Sequence, residues 1–197
     1  MMGKTHVMMG TASALVFTAP VGMAPFCAAM MGGAIGGIIC DVDVKGGGRL
    51  GDALMAKVMA TGIAGASLLF DHFTGGSMMA AMGPIHSLPF LLGAAGFVVL
   101  CILGGVSDHR GFTHSLFAMG LFSLCVHLFC RPALWPFVAG YLSHLVLDLL
   151  NKRPLKLFFP FPNGVCLKLF YSNKLADQVL LGLGVIGTAV GIFKALI

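Results

Sequence analysis

The chain is 197 residues long, 58% apolar and only 10% charged, with a formal net charge of +5. Soluble domains carry about a quarter charged residues, so this composition excludes one. The apolar runs are long and do not alternate, which excludes a β-barrel and leaves an all-α, polytopic transmembrane bundle forming a single domain over residues 1–197.

Apolar segments are predicted at roughly 6–19, 24–40, 51–70, 88–106, 113–130, 133–150 and 178–197, six or seven helices in all. Lys4 and the apolar run after it imitate a signal peptide. Pro25 disfavours cleavage, so an uncleaved first helix is expected. Pro20, Gly22 and Pro25 interrupt the first two segments, because proline removes a helical hydrogen bond and clashes with the preceding turn. The two segments are therefore expected to form a hairpin. Gly32, Gly33, Gly36 and Gly37 in the second arm make two small-xxx-small pairs that permit close helix packing. Gly46-Gly47-Gly48 lacks the Lys-Ser/Thr of a phosphate loop and reads as a flexible turn. Six scattered cysteines form no CxxC pair and read as reduced, buried apolar residues. Met30-Met31 and Met78-Met79 read as packing. Between 154 and 172, two β-prone runs flank Asn163-Gly164, the signal of a small interfacial hairpin or loop over the site mouth.

Histidine and aspartate gather at segment ends. His144 and Asp148 are four apart, on one helix face. An ionisable pair inside an apolar helix is costly and is usually functional, and imidazole with carboxylate makes a metal-ligand set. In Asp108-His109-Arg110-Gly111-Phe112-Thr113-His114-Ser115, Gly111 suggests a turn that lets His109 and His114 converge, with Thr113 near the next helix cap. Arg110 suits bidentate recognition of phosphate or carboxylate. Asp41 and Asp43 close the second segment and could bridge or ligate a metal. His6 is a weaker candidate. Asp177 opens the last segment as a helix-start carboxylate favoured by the dipole, or as a peripheral ligand. Ser115 and Ser143 are neighbouring candidates without a Ser-His-Asp nucleophile arrangement.

A side-by-side trace of the segments delivers His6, Asp41, His109, His114, His144 and Asp148 to one face, and His72, His86 and His127 to the other. Lys4, Lys45, Arg49, Lys57, Arg110, Lys152, Arg153, Lys156, Lys168 and Lys174 fall with the ligands; only Arg131 and Lys194 fall opposite. Lysine and arginine favour the cytoplasmic face, so the site is expected to open inward, to the cytoplasm.

The His109–Ser115 block and Gly140–Asp148 resemble the YdjM family of bacterial membrane-bound metal-dependent hydrolases. Its early His, acidic Asp-x-Asp element, His-Arg-x-x-Thr-His-Ser block and helical Ser-His-x-x-x-Asp correspond to His6, Asp41-Val42-Asp43, the His109 block and the His144 block, in order along most of the chain. Cys40 departs from the proline usual before the first aspartate, and 172–177 follows the family's later stretch only loosely. The resemblance implies a distant similarity to zinc-dependent phospholipase C and P1-type nucleases, and the family name carries an association with the SOS response.

The expected activity is therefore hydrolysis of a phosphoester, such as a phospholipid or lipid-linked phosphate, by a metal-activated water. The expected cofactor is one or two divalent metals, most plausibly zinc, held by His6, Asp41, His109, His114, His144 and Asp148. Asp148, His144, Arg110 and Asp43 form the expected catalytic set. Membrane lipids are the expected partners, with no nucleic acid. The alternative is a metal-ion or proton transporter, which would need polar residues through the whole bilayer.

Overall fold

The computed structural model describes residues 2–45, 50–169 and 174–196, and over them the chain is helical. The order is α1 (Gly3–Thr18), α2 (Met23–Ile38), a 3-10 turn at Ile39–Asp43, α3 (Leu50–Phe73), a short α4 (Ser77–Ala81) and α5 (Leu88–Val106). A 3-10 turn at Phe112–His114, α6 (Leu116–Phe129), another at Arg131–Ala133, α7 (Leu134–Leu149) and α8 (Lys174–Leu196) complete the chain. Met23–Asp43, Gly51–Phe73, Leu88–Val106 and Leu175–Ala195 are long and apolar enough to cross a bilayer, and Leu116–Phe129 is a shorter apolar helix. Helices α1 and α7 have 16 residues each, just short of the ~17–25 that span alone. The six or seven predicted segments thus become four helices of spanning length, with shorter helices packed among them.

The proline-rich break works as the sequence suggests. Helix α1 ends on Ala19 in a left-handed conformation directly before Pro20, and Gly22, at φ +90, leads into α2. Pro25 falls in the first turn of α2, where its missing N–H costs no helical bond. At its closest points the resulting hairpin packs backbone against backbone. A Cβ on Gly10 would lie 2.6 Å from the Gly33 carbonyl, and one on Gly37 would lie 2.5 Å from the His6 carbonyl. Helix α7 closes on α2 in the same way, since a Cβ on Gly140 would meet the Gly33 carbonyl at 2.5 Å. Small residues let backbones approach closely where lipid offers no hydrophobic drive between helices. The α1–α2–α7 core is thereby fixed in depth and register, and it is this core that carries His6, Asp41, His144 and Asp148.

A second cluster joins α5, α6 and α7 through Leu100, Phe122, Val126, Phe137 and Tyr141. Met78, from the pair read as packing, is fully buried against Cys27 and Ala28. All six cysteines are free, and four are buried. Of the predicted hairpin at 154–172, the described residues 154–169 form an irregular segment with an antiparallel bridge, Leu155 to Val165. It docks on the end of α7 through Leu167 N–H to the Leu149 carbonyl (2.7 Å) and on α6 through Leu116 N–H to the Leu157 carbonyl (3.0 Å). The Gly46-Gly47-Gly48 turn, Arg49 and residues 170–173 lie outside the described residues.

A buried His/Asp centre at one end of the bundle

The N-termini of α1, α3, α6 and α8 meet the C-termini of α2, α5 and α7. Two carboxylates tie this end together: Asp52 accepts from Gly3 N–H (2.7 Å), and Asp177 accepts from Met2 N–H (3.1 Å). Asp177 therefore anchors the start of α1 and belongs to neither metal-ligand group below. Asp52 was not singled out in the sequence; its only signal was a carboxylate in the first turn of an apolar helix.

His6, Asp43, His114, His144 and Asp148 are essentially buried, and Asp41 and Arg110 nearly so. They form two groups whose ligand atoms lie within 4.8 Å of one another: Asp41, Asp43, His109 and His114, and His6, His144 and Asp148. The groups touch. The Nε2 atoms of His114 and His144 are 3.3 Å apart. Asp41 Oδ1 is 3.8 Å from each, and Asp148 Oδ2 is 3.5 Å from His114 Nε2. Asp148 Oδ1 lies 3.6 Å from His6 Nε2, whose ring stacks on His144 at 3.8 Å between centroids. All six residues of the predicted ligand set are thus brought together at one end of the bundle.

The proton positions follow from the partners. His144 Nδ1 donates to the Gly37 carbonyl at 2.8 Å, and His114 Nδ1 faces Asp43 Oδ2 at 3.1 Å. Carbonyls and carboxylates only accept, so each Nδ1 carries a proton and each neutral ring directs an Nε2 lone pair inward. In the neutral rings two lone pairs face each other beside the carboxylates of Asp41 and Asp148; Arg110 Nη2 already donates to Asp148 Oδ2 at 2.9 Å, and a proton or a cation between the two Nε2 atoms would balance the remainder. Tetrahedral bonds of ~2.0–2.2 Å place ligand atoms ~3.3–3.6 Å apart. The observed 3.3 and 3.5 Å fall in that range, and 3.8 Å is a small shift from it. These buried His and Asp groups could therefore hold a metal ion. Burial alone would lower the His114 pKa, but the bond to Asp43 and the charges of Asp43, Asp148 and Asp41 hold it above its ordinary value.

Asp43 is the hub of the His109–Ser115 block. It accepts from His109 Nδ1 (2.8 Å), Arg110 N–H (3.0 Å), the Thr113 hydroxyl (2.9 Å) and His114. With three of these contacts on Oδ2 and one on Oδ1, it orients His114 from behind, the usual outer partner of a metal-bound imidazole. His109, about one-third exposed, sits at the rim with its Nδ1 spent on Asp43. The Tyr141 hydroxyl, missed in the sequence, donates to the Thr113 carbonyl and pins the block to α7.

The helix cap is one correction. Thr113 lies in a 3-10 turn with its hydroxyl on Asp43; the N-cap of α6 is Ser115, which accepts from Ala118 N–H at 3.1 Å, and His114 precedes the helix. Ser143 donates to the Gly140 carbonyl instead of supporting the centre. Gly111 was expected to make the turn, yet the left-handed residue is Arg110, at φ +65. Such a conformation costs a non-glycine residue of order 1–2 kcal/mol and persists only where the surroundings over-determine it. Here they do. Arg110 donates through its backbone to Asp43, through Nη1 to the Arg153 carbonyl (2.6 Å) and through Nη2 to Asp148 Oδ2 (2.9 Å), while its own carbonyl accepts from Lys156 (3.1 Å). Its Nε is buried without a hydrogen-bond partner, as is His6 Nδ1. A cavity of about 20 Å³, room for a water or an ion, is bordered by His6, Asp41, His109, Arg110 and Asp148. His72 and His127 lie at the opposite ends of α3 and α6, and His86 in the turn before α5.

A model of the YdjM inner membrane protein family matches residues 1–196. No curated protein and no solved structure matches the chain. The chain belongs to the YdjM inner membrane protein family.

Proposed function

We propose that this family member is a membrane-embedded metal-dependent hydrolase that cleaves phosphoesters, such as phospholipids or lipid-linked phosphates, at the cytoplasmic membrane face. The observation that carries the reading is the facing pair of His114 and His144 Nε2 atoms, 3.3 Å apart against two buried carboxylates. His114, His144, Asp41 and Asp148 would hold a divalent metal, with zinc favoured by the mixed nitrogen and oxygen donors. His6 would complete or support this shell through Asp148. Asp43 would keep His114 in the ligating tautomer. When bound, the metal supplies a Lewis acid and a water of lowered pKa. Arg110, at the edge of the small cavity, would bind and orient the phosphoryl group through its planar fork.

The cytoplasmic orientation rests on charge. Among the described residues, Lys4, Lys45, Lys57, Arg110, Lys152, Arg153, Lys156 and Lys168 lie toward the site end, whereas Arg131 and Lys194 lie toward the other. The transporter alternative draws less support. At the far end, the buried Asp71 is engaged in accepting from Met78 and Met79 N–H at 3.0 Å each. Between it and the His/Asp centre, the described buried polar groups are hydroxyls such as Thr11 and Ser67, both bonded to their own helix. The deciding experiment measures metal content of detergent-purified protein and then phosphodiester hydrolysis with and without chelator. Protein that stays metal-free in zinc-containing buffer would end the hydrolase reading.

A further inference from the structure

We infer that a groove between α1 and α7 holds an acyl chain of the lipid on which the centre acts; this rests on the hydrolase reading and names its substrate as an anionic phospholipid. The groove encloses about 780 Å³, within the ~300–1,000 Å³ of specific ligand sites. Met9, Ser13 and Phe17, spaced by one turn, form one wall, and Trp135, Ala139 and Leu142 form the other. Pro20, Pro25 and Pro132 bound it at the end away from the centre.

Three observations select the occupant. First, the groove reaches the level of the centre along α1 and α7, although none of the ligands lines it. Its lining residues Ser143 and Leu147 directly precede the ligands His144 and Asp148 on α7, and Met9 lies one turn from His6 on α1. A chain in the groove therefore ends at the depth of the His6–Asp148 layer. Second, the lining is apolar apart from small hydroxyls, and of these Thr18 and Ser143 are bonded to their own helix carbonyls. Such a wall suits hydrocarbon and offers few groups to a polar solute. Third, the two walls carry their cations at the site end. Lys4 is in the first turn of α1, and Lys152 and Arg153 follow α7, against Arg131 alone beside the far end. A negatively charged headgroup would settle at the centre, with its tail along the groove.

The test uses full-length protein in detergent micelles and phosphatidic acid carrying a mid-chain diazirine. Illumination should label peptides from 9–17 and 135–146, and Ala139→Trp, which fills the groove, should abolish that labelling without changing metal content. Ala139→Leu serves if the tryptophan variant does not fold. In parallel, Ala139→Trp should lower kcat/KM for a long-chain phospholipid about tenfold or more while sparing a soluble short-chain phosphodiester. Labelling spread over the exposed faces of α3, α5 and α8, or unaffected by the substitution, would show ordinary surrounding lipid and overturn the inference. So would a shift from dimer to monomer in Ala139→Trp, which would make the groove a seat for a second copy. If neither substrate is hydrolysed by the parent, the hydrolase reading fails by itself, and the labelling pattern still decides whether the groove takes an acyl chain.

Discussion

His114 and His144 present their Nε2 atoms to each other at 3.3 Å, each ring locked from behind, His144 by the Gly37 carbonyl and His114 by Asp43. Neutral imidazoles so held repel unless something positive lies between them. From this contact comes the expectation of a divalent metal in purified protein. His144→Ala removes a nitrogen donor, and Asp148→Asn removes the charge that faces both His6 and His114. Both should lower metal occupancy and hydrolysis together, with helical content by circular dichroism retained because glycine-mediated packing holds the helices. Elemental analysis beside an activity assay reads this out; an Asp148→Asn protein as active as the parent would remove the centre from the mechanism.

Asp43 should behave differently from Asp41. Asp43 bonds four groups of the His109–Ser115 block, whereas Asp41 faces the two Nε2 atoms. Asp43→Asn should therefore cost stability, of order 2–4 kcal/mol for disrupted charged hydrogen bonds, and weaken metal binding by about 10–100-fold. Asp41→Asn should weaken metal binding with little loss of thermal stability of the metal-free protein. Melting curves recorded in chelator separate the two, and equal melting points for both variants would contradict the assignment.

The α1–α2–α7 contact predicts a sharp position dependence for glycine substitutions. Gly37→Ala places a methyl against the His6 carbonyl, backbone that cannot swing aside, and should destabilise by ~1–3 kcal/mol as other overpacked cores do. Metal affinity should fall with it, since His6 and His144 both rest on this contact. Gly62→Ala on α3, where a Cβ meets nothing within 4 Å, should be neutral or slightly stabilising. Similar melting temperatures for the two variants would mean that the close packing is not what sets the site.

How much of this was legible beforehand depends on what each residue answers to. Helix α5 coincides with its predicted 88–106 because apolar length sets both ends. The convergence of His6, Asp41, His114, His144 and Asp148 was legible because proline at 20 and 25 forces a hairpin, and the up-and-down alternation of helices then leaves one arrangement of ends. The division of labour was not. Asp41 and Asp43 look alike in sequence, and only the 3-10 turn at Ile39–Asp43 sends one to the Nε2 atoms and the other behind His114. The left-handed turn fell on Arg110 although Gly111 is adjacent, because Asp43, Asp148, Arg153 and Lys156 hold the arginine from several directions. Tyr141 reads as one more apolar-helix aromatic until its hydroxyl is seen on Thr113.

Topology offers an independent check. Residues near 45 and 152 should react from the cytoplasmic side, and residues near 85 from the opposite side, because basic residues concentrate at the site end. Single cysteines at Lys45, Lys152 and Ile85, placed in a background cleared of native cysteines, can be labelled with an impermeant maleimide in intact and opened cells. Labelling of positions 45 and 152 from opposite sides would break the arrangement of helices, and uniform labelling of both from outside would reverse the orientation.

Arg110 separates binding of the metal from handling of the phosphate. Its guanidinium already spans Asp148 Oδ2 and the Arg153 carbonyl, and its buried Nε has no hydrogen-bond partner. Arg110→Lys keeps the positive charge beside Asp148, so metal occupancy should stay near that of the parent. Lysine offers a point charge where arginine offers a planar fork, so turnover of a phosphodiester should fall, by roughly 10–100-fold if two hydrogen bonds to the phosphoryl oxygens are reduced to one. Arg110→Ala removes the charge as well and takes away the guanidinium 2.9 Å from Asp148 Oδ2, so it should lose both turnover and stability. The left-handed backbone gives a third readout. Arg110→Gly should relieve local strain and melt higher than Arg110→Ala while remaining equally inactive. Full activity in Arg110→Lys would reduce the arginine to a structural tie between α7 and the 151–169 segment.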